Sequence, residues 1–206
     1  MVQIEAIVAV DQRIGLAKNG QIPWKSKTDM TFFKTQTTNH IIVMGINTLL
    51  SLRNANPLPN RLNIVLTRNP DKYNTDNNEN TENDNNNTNK YKKMDNILFM
   101  NNQSFTQFIS DPASIVTPEH NKYLNKDYKI FIIGGEQIYT QFCDMCDTIW
   151  LTKIKANYEC DLIFSYYSRL FDTDANKYNC EIYYDDDELE IIRLTKTRIR
   201  ADSLMK

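Results

Sequence analysis

One acidic side chain stands among apolar and aromatic neighbours in the stretch I-P-W-K-S-K-T-D-M-T-F-F, residues 22–33. In the helix that this pattern predicts, Phe33 lies four positions after Asp29, so the carboxylate and the ring share one face. A carboxylate in an apolar setting is costly to ionise, which raises its pKa and suits it to proton transfer. The other interpretation is an ordinary helix start, capped by Ser26 or Thr28, with Asp29 as a first-turn acid.

Glycines end two apolar strands directly before a helical pattern. In I-F-I-I-G-G-E-Q-I-Y-T-Q-F, residues 130–142, the strand ends at Gly134 and Gly135, and in residues 41–52 it ends at Gly45. Glycines let the backbone approach a ligand closely, and the first turn of a helix presents free amides to a phosphate. The alternative is a simple strand-to-helix turn without a ligand.

Hydroxyl and basic side chains occur at the same ends of the predicted strands. Thr48 follows Gly45 in the first turn of a helix, and Thr67 and Arg68 end the strand within residues 62–70. Ligands of open parallel sheets bind outside the carboxyl ends of the strands. These residues therefore predict a site for a phosphate-bearing cofactor, although the G-x-G-x-x-G pattern of standard dinucleotide folds is absent.

Two further features lie near the proposed acid. Residues 11–24, D-Q-R-I-G-L-A-K-N-G-Q-I-P-W, form a polar segment that could act as a mobile lid or be an ordinary connection. Arg61, just before a strand, could clamp a substrate carboxylate. Taken alone, Arg61 is also typical of a solvated surface charge.

Composition limits the class of protein. The chain has 206 residues and a net charge of −2, which is typical of one domain with a real core. It has no basic stripe, so a nucleic-acid partner is not expected. The apolar start lacks the features of a signal peptide or a membrane span, so we expect a cytoplasmic protein that does not bind membranes.

The cysteines and histidines do not predict a metal site. Cys143 and Cys146 form a C-x-x-C, but no second pair stands at ligand spacing, and His40 and His120 are isolated. A three-residue gap on a helix is simply one face, so we interpret both cysteines as buried structural residues. With only two histidines, we also do not expect a Ser-His-Asp or Cys-His mechanism.

Alternating strand and helix patterns predict an α/β fold. The apolar runs of strand length are 2–10, 41–44, 62–67, 97–100, 128–133 and 147–154. The helical patterns are about 27–38, 45–52, 103–110 and 136–143. This order favours a mainly parallel central sheet with helices on both faces. Residues 178–185 and 189–197 flank an acidic turn and predict an antiparallel C-terminal edge.

One segment does not belong to a core. Residues 74–89 are mostly Asn with acids and Thr, and such a tract cannot bury enough apolar surface to offset its ordering entropy. We predict a low-complexity surface insertion at about 70–93 and a second loop excursion at about 111–127, within a single domain spanning 1–206.

In this order and register the motifs resemble the dihydrofolate reductase family. The segments that match are I-V-A-V, G-L-A-K-N-G-Q-I-P-W, T-D-M-T-F-F-K, V-M-G, T-x-x-S-L, P-L-P-N-R-x-N-I-V-L-T-R, I-I-G-G-x-x-I-Y and L-T-K-I. The resemblance implies NADPH-dependent reduction of 7,8-dihydrofolate to tetrahydrofolate, which supplies one-carbon metabolism and thymidylate synthesis. It also implies antifolates as ligands and leaves open a link to, or association with, thymidylate synthase.

The resemblance also implies residue roles. Asp29 would hold the pterin and support its protonation, Thr152 would orient that carboxylate, and Trp24 would close the pocket and help order a water. Arg61 would pair with the glutamate tail of the substrate, and Tyr139 would lie beside the nicotinamide and line the substrate site. The apolar walls of the substrate site would be Ile7, Val8, Met30, Phe33, Leu52, Leu58 and Ile133.

For the cofactor, the resemblance implies a larger set around the nicotinamide, pyrophosphate and ribose. These residues are Ala9, Ile14, Leu16, Gly20, Gly45, Asn47, Thr48, Leu66, Thr67, Arg68, Gly134, Gly135, Gln137 and Ile138. The peptide bond between Gly134 and Gly135 is expected to be cis, as in the family.

The chain departs from the family pattern at several positions. Ile46 stands where a basic residue usually meets the 2′-phosphate of the cofactor, which leaves Arg68 for that contact. Cys160 and Ser165 replace a Gly and a Pro around Asp161, the residue expected to anchor the lid. Two alternatives remain: a related reductase of the riboflavin pathway, and a non-catalytic domain cut from a thymidylate synthase fusion.

Overall fold

A twisted central sheet organises the protein, whose computed structural model describes residues 2–74, 91, 94–171 and 177–197. The strands are β1 (Ile4–Val10), β2 (Gly15–Ala17), β3 (Ile41–Gly45), β4 (Leu62–Leu66), β5 (Ile97–Met100), β6 (Ile130–Ile132), β7 (Thr148–Ile154), β8 (Leu162–Ile163), β9 (Tyr178–Asp185) and β10 (Leu189–Lys196). The helices are α1 (Lys27–Thr37), α2 (Ile46–Ser51), α3 (Asp71–Asn74), α4 (Asn102–Ser110), α5 (Glu136–Phe142) and α6 (Tyr167–Leu170).

Eight of the strands form one sheet in the order β5-β4-β3-β6-β1-β7-β10-β9. The six strands from β5 to β7 in this order run parallel to one another. β10 and β9 are antiparallel and close one edge. The predicted fold class, a mainly parallel sheet with an antiparallel C-terminal edge, is confirmed.

Apolar side chains cover both faces of the sheet. On one face Phe105 of α4 and Phe142 of α5 pack in a cluster with alternate residues of β1, such as Ala6 and Val8. On the other face Phe32 of α1 packs in a second cluster. Because successive strand residues point to opposite faces, the parallel strands must be apolar throughout. Helices therefore lie on both faces, as predicted.

The segment predicted as a lid contains structure that periodicity does not reveal. Residues of β2 pair with β8, with Gly15 opposite Ile163 and Ala17 opposite Leu162. Each strand has no more than three residues, too short to show a period. The pair forms because distant loops meet in the folded chain, so only the tertiary structure specifies it.

The second predicted loop excursion, 111–127, contains two short 3₁₀ helices, Pro112–Ser114 and Pro118–Tyr123. His120 is buried here, and its Nδ1 accepts a hydrogen bond from the Thr117 amide at 3.1 Å. Among the described residues, no helix has the length and apolar character needed to cross a bilayer. Most of the Asn-rich tract lies outside the described residues.

The two ends of the Asn-rich tract are held by an aromatic cluster. The ring of Tyr73 stacks on Phe99 with centroids 4.4 Å apart, and the hydroxyl of Tyr91 donates to the Ala55 carbonyl at 2.7 Å. Tyr91 also packs edge-on against Phe99 at 5.4 Å. These contacts fix the chain on both sides of the insertion.

Deleting residues 74–89 is therefore expected to leave turnover unchanged and to change the free energy of unfolding by less than about 1 kcal/mol, because loop-closure entropy depends weakly on loop length. Thermal unfolding of the shortened protein measures the effect. The control is Tyr91→Ala, which removes a buried ring and is expected to cost about 3–5 kcal/mol. A large loss of stability in the deletion would contradict the prediction that the tract is energetically neutral.

Candidate active site

Helix α1 places the carboxylate of Asp29 against the sheet. The Ser26 hydroxyl caps this helix by accepting a hydrogen bond from the Asp29 amide at 3.3 Å. The Asp29 carboxylate accepts a hydrogen bond from the side chain of Thr152, a buried residue of β7. The backbone of Asp29 thus belongs to the cap while its side chain points to the sheet, so the two interpretations of this residue are compatible.

The surroundings of Asp29 change its acidity. Burial raises the pKa of the Asp29 carboxyl above its usual value, and the hydrogen bond from Thr152 acts in the opposite direction. Burial is the larger influence because a charged carboxylate loses part of its hydration at this half-buried position. The site therefore holds a carboxyl that accepts and keeps a proton more readily than one in water.

Apolar side chains surround this carboxyl on the face of the sheet that α1 covers, where the cluster containing Phe32 lies. Ile7 is buried there, and the predicted wall residues that pack partly buried against the same cluster are Phe33, Leu52, Leu58 and Ile133. A role of Val8 in this wall stays a prediction. Its side chain packs in the cluster on the opposite face, because neighbouring residues of a strand alternate.

Met30 stands apart from the other predicted wall residues. Its side chain is 68% exposed and belongs to neither cluster. Met30 follows Asp29 directly on α1, where consecutive residues point about 100° apart. A role in the substrate wall stays a prediction for this residue.

Trp24 is buried immediately before α1, with 5% of its surface exposed. Its ring packs against Tyr158 with centroids 5.7 Å apart. The indole Nε1 is buried and has no hydrogen-bond partner among the described residues. A buried donor of this kind is uncommon in folded proteins and is typical of a group that serves a bound molecule.

Arg61 is a buried cation, only 4% exposed, so the interpretation as a solvated surface charge is wrong. Nε donates to the Thr37 hydroxyl at 2.9 Å and Nη1 to the Pro59 carbonyl at 2.8 Å. The guanidinium also lies 5.8 Å from the Phe33 ring centroid. Within the described part of the chain these hydrogen bonds go to neutral oxygens, which leaves the charge available for an anion.

Next to these residues lies a cleft of about 1040 Å³ at the carboxyl ends of the parallel strands. Most of the residues predicted to bind the cofactor line it, namely Ala9, Leu16, Gly20, Gly45, Asn47, Thr48, Leu66, Thr67, Arg68, Gly135, Gln137 and Ile138. Two predicted residues do not line this cleft. Ile14 packs partly buried against the first cluster, and Gly134 lies beside the cleft, with its carbonyl accepting from the Gly45 amide at 2.8 Å.

The glycines at these strand ends leave no room for side chains. A Cβ on Gly135 would lie 3.2 Å from the Thr48 hydroxyl, and one on Gly45 would lie 3.2 Å from the Ile138 side chain. Gly134 has φ +107, which favours glycine, and the Gly134–Gly135 peptide is cis. The predicted cis bond is confirmed.

Gly134→Ala is expected to destabilise the protein by about 1–3 kcal/mol because the backbone is strained for any other residue. The new Cβ would also lie 3.0 Å from the Tyr139 ring. The control is Gly20→Ala, where φ is +74 but no atom lies within 4 Å, so only the strain of about 1–2 kcal/mol applies. Equal unfolding temperatures for the wild type and Gly134→Ala would contradict this expectation.

Tyr139 lines the cleft from α5 and joins it to β1. Its buried hydroxyl donates to the Ile7 carbonyl at 2.8 Å, and burial raises its pKa well above the usual value. The hydroxyl is therefore a fixed donor and not an acid. The Tyr139 ring, not its hydroxyl, is the part available to a ligand.

The segment predicted as a lid is anchored by the loop that departs from the family pattern. The Asp161 carboxylate accepts from the Asn19 amide at 2.8 Å, as expected of an anchor. The Cys160 side chain bonds to the buried Asp11 carboxylate and fills the space beside Gly15, where a Cβ would lie 2.2 Å from the Cys160 Cβ. Cys160 is thus part of the packing that holds residues 11–24, the predicted lid, against this loop.

Several cleft residues were not found from the sequence. Asn101 and Asn102 follow the end of β5 and line the cleft. They could have been predicted because ligands of parallel sheets bind at the carboxyl ends of the strands. Glu136 lines the cleft directly after Gly135, and its carboxylate also accepts from the Ser165 amide at 3.1 Å. Arg68 is the only Lys or Arg among the described residues that line the cleft. It lies where the chain leaves β4, at one end of the cleft.

The C-x-x-C pair is structural in this fold. Cys143 and Cys146 are both buried in the first cluster. The described residues contain no group of three or more His, Cys, Asp or Glu side chains arranged to hold a metal. The site that the structure supports is therefore the cleft with Asp29 and Arg61 beside it.

The chain is similar to several proteins named as dihydrofolate reductases. A 168-residue region is 29% identical to a bifunctional dihydrofolate reductase-thymidylate synthase from Daucus carota; it covers 76% of this chain, which spans only 27% of that protein. A dihydrofolate reductase from Staphylococcus haemolyticus is 28% identical over 162 residues, 79% of this chain and 76% of the relative.

A solved structure shares the fold. It is a dihydrofolate reductase from Enterococcus faecalis, described as complexed with NADP(H) and RAB-propyl. The TM-score is 0.64 at 21% sequence identity, and the match covers 95% of this chain and 97% of the other. The sequence profile described as dihydrofolate reductase matches residues 3–110 and 92–195. The chain therefore belongs to the dihydrofolate reductase family.

Proposed function

We propose that the protein reduces 7,8-dihydrofolate to tetrahydrofolate with NADPH. The observation that carries the proposal is the presence in one site of a half-buried carboxyl at Asp29, whose pKa burial raises, and a buried cation at Arg61. A dihydrofolate has a basic pterin at one end and a carboxylate at the other, which matches these two charges. Family membership and the relatives' names support the same reaction.

The cleft fits a dinucleotide. Gly45 and Gly135 keep it open where side chains would fill it, and Thr48 offers a hydroxyl between them. Arg68, at the far end, suits the 2′-phosphate that distinguishes NADPH from NADH. The cofactor supplies the hydride when bound; the protein must supply proximity, a dry pocket and a proton.

The residues around Asp29 govern the proton. The carboxyl keeps its proton near neutral pH better than one in water because burial raises its pKa. Thr152 fixes the orientation of the carboxyl through its hydrogen bond. The buried Nε1 of Trp24 is a donor that suits a water bound beside the pterin. In this proposal Asp29 supports protonation of the pterin, and the apolar walls exclude bulk water.

Turnover tests the function. Purified protein with dihydrofolate and NADPH is expected to lose the absorbance band of the reduced nicotinamide at a rate proportional to the enzyme concentration. A folate-site inhibitor such as methotrexate should stop the reaction, which separates this function from a riboflavin-pathway reductase. Folded protein that binds the cofactor without turnover would favour the non-catalytic alternative.

The cytoplasmic location and the association with thymidylate synthase remain predictions. The carrot relative is named as a bifunctional protein, and co-purification from native extracts tests whether this chain associates with such a partner. Recovery of the protein alone would contradict that association.

A further inference from the structure

A buried carboxylate outside the cleft has no role in the mechanism above. Glu5 lies in β1 and is 1% exposed. Its Oε1 lies 2.7 Å from the ammonium of Lys129, and its Oε2 accepts from the indole Nε1 of Trp150 at 2.7 Å. Burying such a pair often stabilises a fold no more than apolar residues of the same volume would. What the pair does provide is a fixed geometry at Trp150.

Trp150 lies between the sheet and helix α1. It is two residues before Thr152 on β7, so both side chains point to the same face of the sheet. Its ring contacts Phe32 edge-on, with centroids 5.4 Å apart and planes at 67°. Phe32 is three residues after Asp29, so these two side chains project from one side of α1.

Helix α1 therefore rests on β7 at two points. One is the ring contact between Phe32 and Trp150, and the other is the hydrogen bond from Thr152 to the Asp29 carboxyl. The first point can hold the helix only if the indole is fixed. The Tyr183 ring packs edge-on against the indole at 5.2 Å, and the bond to Glu5 sets its direction, because a carboxylate acceptor at 2.7 Å orients the indole N–H.

We propose that Glu5 is a positioning residue for the proposed reduction: it holds the Trp150 indole, the indole seats α1, and α1 sets the place of the Asp29 carboxyl. The inference rests on the proposed function. Glu5 touches neither substrate nor cofactor in this account and acts only through the indole. Loss of the contact would let α1 shift and weaken the hydrogen bond from Thr152.

Other charged and titratable groups surround this arrangement. The amide of Lys129 donates to Nδ1 of His40 at 3.1 Å, and burial together with Lys129 lowers the His40 pKa while Glu5 raises it. Glu5 also acts to raise the pKa of Cys146. Arg193 of β10 lies 5.4 Å from the Trp150 ring centroid. A substitution at Glu5 changes the electrostatic potential at each of these groups. The test must therefore measure the titration of the Asp29 carboxyl directly.

The test compares Glu5→Gln, which keeps an acceptor for the indole, with Glu5→Leu, which removes it, and with Trp150→Phe. We expect Glu5→Leu and Trp150→Phe each to slow the hydride step about tenfold, since small misplacements of reacting groups are costly. Glu5→Gln should stay within about twofold of the wild type, and the double variant should be no slower than either single one. The exposed ion-pair variant Lys155→Met is the control.

A second readout is the titration of Asp29 in the free protein, followed by carboxyl NMR. The hydrogen bond from Thr152 lowers the Asp29 pKa, so weakening it in Glu5→Leu should raise that pKa. The pH at which turnover declines should move upward with it. Glu5→Gln should restore the wild-type titration.

The outcomes separate the possibilities. Lower stability of Glu5→Leu with an unchanged Asp29 titration and pH profile would overturn the inference and leave Glu5 a structural residue. If Glu5→Leu does not fold, Trp150→Phe, which keeps an aromatic ring, decides the question by the same two readouts. Absence of turnover in the wild type would refute the proposed function, while the Asp29 titration would still decide the role of Glu5.

Discussion

Replacing Asp29 with Asn is expected to lower turnover of dihydrofolate at neutral pH by about 10²- to 10⁴-fold, the usual contribution of a positioned acid. Asn keeps the size of the side chain and a partner for Thr152 but cannot hold an exchangeable acidic proton. The loss should therefore lie in the rate of the chemical step and not in cofactor binding. Single-turnover kinetics and cofactor titration measure the two separately.

The pH dependence of the two proteins should also differ. The wild-type rate is expected to fall as the pH rises through the Asp29 pKa, which burial raises, because the carboxyl then loses its proton. The rate of the Asn variant should keep increasing as the pH falls, since only solvent can protonate the pterin. Asp185→Asn, which removes an exposed carboxylate of β9, is the control. Equal turnover in wild type and Asp29→Asn at neutral pH would refute the proposed role.

The raised pKa of Asp29 also predicts that Asp29→Asn, which lowers turnover, increases the stability of the fold at neutral pH. The folded pKa of Asp29 lies above its ordinary value of 3.8, so the native state holds the proton more tightly than the unfolded state. Stability is therefore lost as the pH rises from 3.8 through the folded pKa. Asp29→Asn carries no such penalty and should unfold at a higher temperature than the wild type at neutral pH. The difference between the two unfolding temperatures should become smaller as the pH falls toward 3.8.

Replacing Arg61 with Leu is expected to raise the KM for dihydrofolate about 10²-fold, because a buried charge paired with a substrate carboxylate contributes about 2–5 kcal/mol. The guanidinium is already held by Thr37 and Pro59, so its position is fixed before a ligand binds. A fixed group loses little entropy on binding, which makes the contact effective. Arg61→Lys should give an intermediate KM, since an ammonium cannot pair in two places.

A truncated substrate provides the control for Arg61. With a dihydropterin that lacks the glutamate, wild type and Arg61→Leu should have similar KM values, because the carboxylate is absent in both cases. Thermal unfolding of the variant checks that the fold is intact. An equal rise of KM for both substrates would mean that Arg61 supports the site through packing and does not bind the carboxylate.

Local patterns in the sequence were sufficient for the main architecture. The continuous apolar runs at β1, β3, β4 and β7 predict buried parallel strands, because such strands are covered on both faces. The glycines at 134 and 135 predict a close approach of the backbone, since any side chain there meets Thr48 or Tyr139. The apolar runs and the adjacent glycines are patterns of neighbouring residues, which is why the sequence reveals them.

The burial and the contacts of individual side chains could not be predicted from local sequence patterns. Arg61 looks like a surface charge in sequence, and its burial follows from contacts with Thr37 and Pro59 that depend on how α1 meets the start of β4. The hydrogen bond between the Asp29 carboxyl and Thr152 joins residues more than a hundred positions apart. The sequence also left open which face Val8 takes, because the pattern of an entirely apolar strand does not show this for each residue.

The sequence by itself determined the α/β order, the glycine-marked strand ends and the candidate acid, because periodicity and backbone freedom are local properties. Only the tertiary structure decided the raised pKa of Asp29, the pairing of β2 with β8 and the burial of Glu5 against Trp150. Each of these depends on which distant segments pack together. Dehydration and hydrogen bonding act through space, and proximity in space is settled by the folded chain as a whole.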